Sequence, residues 1–236
     1  MSREPLRQLL LERSPVFGVF AAERSAEGGR RAAADPDIDF VFYDLEEAEW
    51  DMAALRAFVE SSRKWAGDRG AADLLLRIPP VGPDLESARR CVADGLDVGV
   101  QGFILPLVED PVEVDTVTQV IDAWRGAAGE RGDVLVVAQI ESELAVERAE
   151  TIVSAAGVGV VLPGQADLRR SYRGDEVAVQ AAVARVLAVA REHRVPCGVT
   201  AGLEDIAARL EQGFEFIIAV EPGTVALGRT ASGRDK

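Results

Sequence analysis

Short apolar runs alternate along the whole chain with stretches whose apolar positions recur every three or four residues. The runs at residues 16–20, 39–44, 73–78, 102–107, 134–141, 158–162, 196–200 and 215–220 are rich in Val, Ile, Leu and Phe and read as strands. Between them the spacing predicts helices over 25–34, with Ser25 as N-cap, 52–66, and 85–94, closed by Gly95. A further helix starts at Asp110-Pro111, with proline at its first position, and runs to about residue 124; 126–132 reads as a loop. An amphipathic segment follows the fifth strand, a long Ala- and Val-rich helix covers 176–194, and 203–212 is a helix closed by Gly213. The tail, 221–236, is rich in Gly, Thr and Ser and predicts at most one helical turn. Eight strands alternating with helices imply parallel pairing with crossover helices, and closure gives a TIM (β/α)8 barrel. The expectation is one α/β domain, 1–236, with a short or missing last helix. Missing cover there would expose apolar surface, which a homo-oligomer would bury.

Composition narrows the chemistry. At 236 residues with 48% apolar content, the chain suits one barrel. No apolar run is long enough for a membrane helix, and the first fifteen residues are charged throughout, so they read as an amphipathic lead-in and the protein as cytoplasmic. The net charge of -14 disfavours nucleic acid and acidic membranes. Cys91 and Cys197 lie far apart without metal spacing. His193 falls at a helix end just before a strand, the wrong edge of the sheet for a nucleophile's base. Neither lysine suits a Schiff base, since Lys64 falls on an exposed-looking helix and Lys236 ends the chain. No glycine-rich phosphate loop is present.

The candidate chemistry gathers at strand C-termini, the ligand-binding edge of such folds. The second strand offers Asp44, Glu46 and Glu47; the third Arg77; the fifth Gln139 and Glu141; the sixth Gly164, Ala166 and Asp167; the last two Thr200 and Glu221. Glu141 and Asp167, with room left for waters and substrate, suit Mg²⁺ or Mn²⁺. Arg77 is placed to grip an anionic substrate, and the backbone N–H groups from Gly164 onward to bind a carboxylate. Each residue has a structural alternative: Glu141 as a helix cap, Asp167 as a turn former, Arg77 as a partner to Glu46, Thr200 as a cap.

Six segments in order resemble the HpcH/HpaI aldolase family, the metal-dependent pyruvate aldolases related to citrate lyase β-subunits. They are FVFYDLEE from Phe40, LLRIP from Leu75, GFILPLVE from Gly102, VAQIES from Val137, GQADL from Gly164 and GFEFIIAV from Gly213. The resemblance implies that Glu141 and Asp167 hold Mg²⁺ or Mn²⁺ and that Arg77 contacts a 2-keto acid and its enolate oxygen. It further implies that Gln139 lies beside the metal and its waters, and that the backbone at Gly164 and Ala166 receives the pyruvate carboxylate.

The chain departs from the family where DLE is usually followed by histidine and glycine; here Glu47 and Ala48 follow. The stretch 124–133 is a remnant of a longer segment, and Glu221-Pro222-Gly223 replaces an aspartate-bearing turn. Three routes to proton transfer remain: Glu47 as base, if burial beside other carboxylates raises it; a metal-bound water; or decarboxylation of an oxaloacetate-type acid, which needs no base at that step. The implied function is a metal-dependent carbon–carbon lyase acting on a small 2-keto acid. The alternatives are an oxaloacetate-type decarboxylase, an acyl-CoA lyase, or a degenerate barrel serving as a binding or scaffold subunit.

Overall fold

Eight parallel strands form the sheet of the computed structural model, which describes residues 3–128 and 133–234. They are β1 (Val16–Phe20), β2 (Phe40–Asp44), β3 (Asp73–Arg77), β4 (Gly102–Leu105), β5 (Leu135–Ile140), β6 (Val160–Pro163), β7 (Gly198–Ala201) and β8 (Phe216–Ala219). The spatial order is β6-β5-β4-β3-β2-β1-β8-β7, and one parallel bridge between Val161 and Cys197 brings β6 to β7. The ring is thus nearly closed, and all eight expected strands are in place.

The period-two alternation divides the core in two. Inside the ring, Val16, Phe40, Phe42, Leu75, Ile104, Val137, Leu162, Phe216 and Ile218 form one buried cluster, with the Phe40 and Phe216 rings stacked 4.1 Å apart. The amphipathic lead-in is α1 (Leu6–Leu11), whose Leu6, Leu9 and Leu10 join this cluster. The opposite strand faces, with Phe17, Tyr43, Leu76, Phe103 and Ile217, pack against the outer helices. The same alternation sets Asp44, Arg77, Gln139 and Glu141 in phase with the interior residues Phe42, Leu75 and Val137. That parity puts them at the C-terminal mouth of the barrel.

Several helices match their expected spans. In α2 (Ala26–Ala34) the Ser25 hydroxyl accepts from the Gly28 N–H at 3.2 Å, and α3 (Met52–Ala66) follows, with Lys64 exposed. Next, α4 (Leu85–Val98) overruns its predicted stop, because Gly95 is a packing residue; a Cβ there would lie 2.7 Å from the Phe103 ring. Continuing past residue 124, α5 (Pro111–Ala128) takes in part of the expected loop, whose remainder, like Lys236, lies outside the described residues. The segment after β5 splits into α6 (Glu143–Glu147) and α7 (Ala149–Val153).

Beyond β6 come α8 (Gln165–Ser171), α9 (Glu176–Glu192), α10 (Ile206–Glu211) and α11 (Thr224–Ser232). The last helix is short, but longer than the single turn predicted. Gly223 and Gly233 at its ends lower its local helix propensity, and tertiary contacts hold it. Arg229 and Arg234 both pair with the buried Asp39, which also accepts the Phe17 N–H at 2.8 Å. Among the described residues no helix is long and apolar enough to cross a membrane.

Candidate active site

Arg77 ends β3 in register with Asp44 at the end of β2. Its guanidinium binds Asp44 bidentately, Nε to Oδ1 at 2.9 Å and Nη2 to Oδ2 at 2.6 Å, and Nη1 pairs with Glu46 Oε2 at 2.6 Å. It lies 5.2 Å from the centroid of the Phe42 ring. Burial works against the charge on both partners, but the pairing outweighs it: Asp44 is held below the usual carboxylate range and Arg77 is raised. Glu46 goes the other way, raised mainly by burial and only partly offset by Arg77. The Arg77–Glu46 pairing named as a structural alternative is therefore present, and Asp44, from the same strand end, is a second partner. A guanidinium has five N–H donors; Nε and one on Nη2 go to Asp44, and the others, on the terminal nitrogens, are left for Glu46 and the cavity.

Glu141 follows β5 and is 2% exposed. Gln139 Nε2 donates to its Oε1 and the Leu107 N–H to its Oε2, both at 2.9 Å. Leu107 reaches it from a left-handed backbone, φ 52°, a conformation costly for leucine and absent from any sequence signal. Glu141 is not a helix cap; that role belongs to Ser142, whose hydroxyl accepts from Ala145 N–H. Burial, with added repulsion from Asp167 and Glu46, raises the Glu141 carboxyl to about 7 despite the Leu107 hydrogen bond.

Gly164 lies against this carboxylate so tightly that a Cβ would overlap Glu141 Oε1. Its N–H is taken by the Ile140 carbonyl at 3.1 Å, so it is not itself an anion donor. Ala166 and Asp167 fall in the first turn of α8, where N–H groups lack intrahelical partners. Asp167 pairs with Arg170, one turn along, at 2.6 Å. Arg170 is a site residue the sequence reading missed, and an arginine three positions after an acid on a helix was the available signal.

Arg77, Glu46, Glu47, Gln139, Glu141, Gly164, Ala166, Asp167, Arg170 and Thr200 all line one cavity of about 310 Å³. Glu47 is exposed there rather than buried beside the other carboxylates. His193 is remote from it, 2.7 Å from Glu150, and both cysteines are buried free thiols.

The donor set suits a hard divalent cation: oxygen ligands, three carboxylates close enough to repel, and Gln139 Oε1 buried without a partner. Among the described residues no three His, Cys, Asp or Glu side chains form a ready cage. A cation would thus be held by Glu141 and Asp167 and completed by water or substrate oxygens.

Comparison with known proteins bears on the fold and the family. A structure described as an HpcH/HpaI aldolase/citrate lyase family protein from Burkholderia cenocepacia superposes with a TM-score of 0.77 at 22% identity, covering 97% of each chain. An HpcH/HpaI aldolase from Desulfitobacterium hafniense gives 0.75 at 21% identity, covering 97% of this chain and 95% of that one. Both likenesses concern the fold. The 5-keto-4-deoxy-D-glucarate aldolase of Salmonella arizonae is 27% identical over 147 residues, 52% of this chain and 57% of the relative. The chain therefore spans little more than half the length of the curated relatives it matches. The family pattern itself runs over residues 17–221, from the first strand to the turn after the last, and by that match the chain belongs to the HpcH/HpaI aldolase/citrate lyase family.

Proposed function

We propose that this chain is a divalent-metal-dependent carbon–carbon lyase of the aldolase type, acting on a 2-keto acid through a pyruvate-type enolate. The observation that carries this is the convergence of Glu141, Asp167 and Arg77 on one cavity at the barrel mouth. Aldolases among the relatives support the same class. Bound Mg²⁺ or Mn²⁺ at Glu141 and Asp167 supplies Lewis-acid polarisation of the keto acid.

The protein's own groups do the rest. Arg77, held by Asp44 and Glu46, directs its remaining terminal N–H donors at the oxygen where enolate charge develops. The first-turn N–H of Ala166 receives the substrate carboxylate. Gln139 fixes the orientation of Glu141 and offers Oε1 to a water. Glu47 lacks the burial that would raise it, but it is the carboxylate on the cavity wall without a cation or hydrogen-bond partner among the described residues, so the C3 proton is assigned to it on position alone. The C3–H electron pair then forms C2=C3 and the carbonyl oxygen becomes the enolate. In condensation C3 attacks the aldehyde carbon, whose π pair moves to oxygen and takes the proton back; cleavage is the reverse.

A second reading, decarboxylation of an oxaloacetate-type acid, is favoured by the exposure of Glu47, because C–C scission with loss of CO₂ yields the same enolate without a base. Two measurements test the proposal. Calorimetry with Mn²⁺, with and without oxalate, is expected to show binding that oxalate strengthens and Glu141→Ala abolishes. Pyruvate in D₂O with Mg²⁺ is expected to exchange its methyl protons, more slowly in Glu47→Gln. No metal binding at millimolar concentration in the wild type overturns the metal-enolate reading. Oxaloacetate turnover without methyl exchange selects the decarboxylase.

A further inference from the structure

A second cavity of about 520 Å³ opens beside the first, over the C-terminal ends of β7 and β8. The two share Gln165, Ala166 and Thr200, so the trough adjoins the catalytic cavity. Its volume falls in the range of small-molecule clefts.

The charges on its walls decide what it accepts. Its two arginines are already occupied: Arg169 holds Glu176 through Nε and Nη2, and Arg209 Nε holds Asp205 Oδ2 at 3.0 Å. Arg170 lines the catalytic cavity, not the trough, and is paired with Asp167. Glu204 and Glu221 line the trough, are exposed, and have no cation partner among the described residues. The absence of a side chain at Gly202 leaves room for Glu221, whose Oε1 a Cβ there would crowd. Thr200 and Gln165 add uncharged hydrogen-bonding groups at the join between the cavities.

We propose that this trough is the acceptor subsite of the centre and that it takes an uncharged, hydroxylated aldehyde. The inference rests on the enolate reading above. Hydroxyl groups donate to the free Glu204 and Glu221 carboxylates in charge-assisted hydrogen bonds. An aldehyde bearing its own carboxylate meets two unneutralised carboxylates and no free cation among the trough's described residues, in a chain whose net charge of -14 adds to the repulsion.

The test uses the full chain with Mg²⁺ and pyruvate. Methyl-proton exchange in D₂O is recorded first, without acceptor. Condensation is then measured with glycolaldehyde and D-glyceraldehyde against glyoxylate and succinic semialdehyde. The expected kcat/KM ratio favours the neutral aldehydes by about tenfold or more, the scale of two carboxylate repulsions in water. The variant carrying Glu204→Gln and Glu221→Gln is expected to narrow that ratio by lowering KM for the acidic aldehydes. Both substitutions are at exposed positions, so the fold is not at stake. Methyl exchange together with equal or better use of acidic aldehydes, or an unchanged ratio in the variant, overturns the subsite and leaves the enolate reading standing. Absence of methyl exchange removes the enolate reading and this proposal with it.

Discussion

Glu141 is buried, hydrogen-bonded through both oxygens, and raised from an ordinary 4.5 to about 7. A carboxyl raised in the fold binds its proton more tightly folded than unfolded. Its contribution favours folding fully below pH 4.5 and is lost as pH rises to about 7. The shift corresponds to at most about 3 kcal/mol of stability lost across that window. Glu141→Gln removes the charge while keeping the shape. The Leu107 N–H keeps an acceptor, and a flip of the Gln139 amide turns its partnerless Oε1 toward the new amide. The metal-free variant is therefore expected to match wild type near pH 4.5 and to exceed it at pH 8 by roughly 1–3 kcal/mol, or about 2–12 °C in Tm for a chain of this size.

The assay is thermal and urea denaturation of chelator-treated protein from pH 4.5 to 8.5, repeated with Mn²⁺. Bound cation would replace the missing countercharge, so Mn²⁺ is expected to stabilise wild type above pH 7 and leave the variant unchanged. Parallel pH curves for the two proteins, or a variant less stable at pH 8, would refute the claim that burial and carboxylate repulsion load this site against an empty state.

Other substitutions separate the parts of the site. Gly164→Ala puts a methyl into the Glu141 carboxylate, and is expected to cost about 1–3 kcal/mol by overpacking and to abolish Mn²⁺ binding, read by denaturation and calorimetry. Arg170→Gln frees Asp167 from an exposed ion pair and is expected to tighten Mn²⁺ binding up to about fivefold, because such pairs contribute about 0–1 kcal/mol. Asp39→Ala leaves Arg229 and Arg234 without their shared carboxylate and the Phe17 N–H without its acceptor; a loss of about 3–5 kcal/mol in urea unfolding is expected, as for removal of one side of a buried ion pair.

What could be read from the sequence follows from which features are local. Strand positions are legible because each is a short apolar run, and so is the gathering of Asp44, Arg77, Gln139 and Glu141 at strand ends; that they share a face with the interior residues follows from the folded barrel. The amphipathic character of the lead-in and the Ser25 cap are equally local. Glycines were the recurring source of error, because one residue type serves several purposes. Gly95 has the local signature of a stop, but its reason for being small is the Phe103 ring from a neighbouring strand. The glycines flanking the last helix obscured an element held by Asp39, nearly two hundred residues upstream. Leu107 left no trace at all, since a left-handed leucine is stabilised only by what its N–H meets across the mouth.

The same distinction explains the acidic stretch from Asp44 to Glu47. Glu46 and Glu47 are adjacent and chemically identical, and spacing alone gave no reason to separate them. The fold does so through Arg77: Glu46 turns in to complete the clamp begun by Asp44, and Glu47 is left at the rim. An arginine fixed on two sides cannot swing to follow a substrate, so its remaining donors are aimed before anything binds. A flexible arginine would be expected to tolerate Asp44→Asn with little change. A clamped one is expected to lose enolate stabilisation, seen as slower pyruvate methyl exchange at unchanged Mn²⁺ affinity, because Asp44 touches Arg77 and neither Glu141 nor Asp167. Equal loss of metal affinity and exchange would show instead that Asp44 supports the whole mouth, and the argument for a pre-aimed guanidinium would fall.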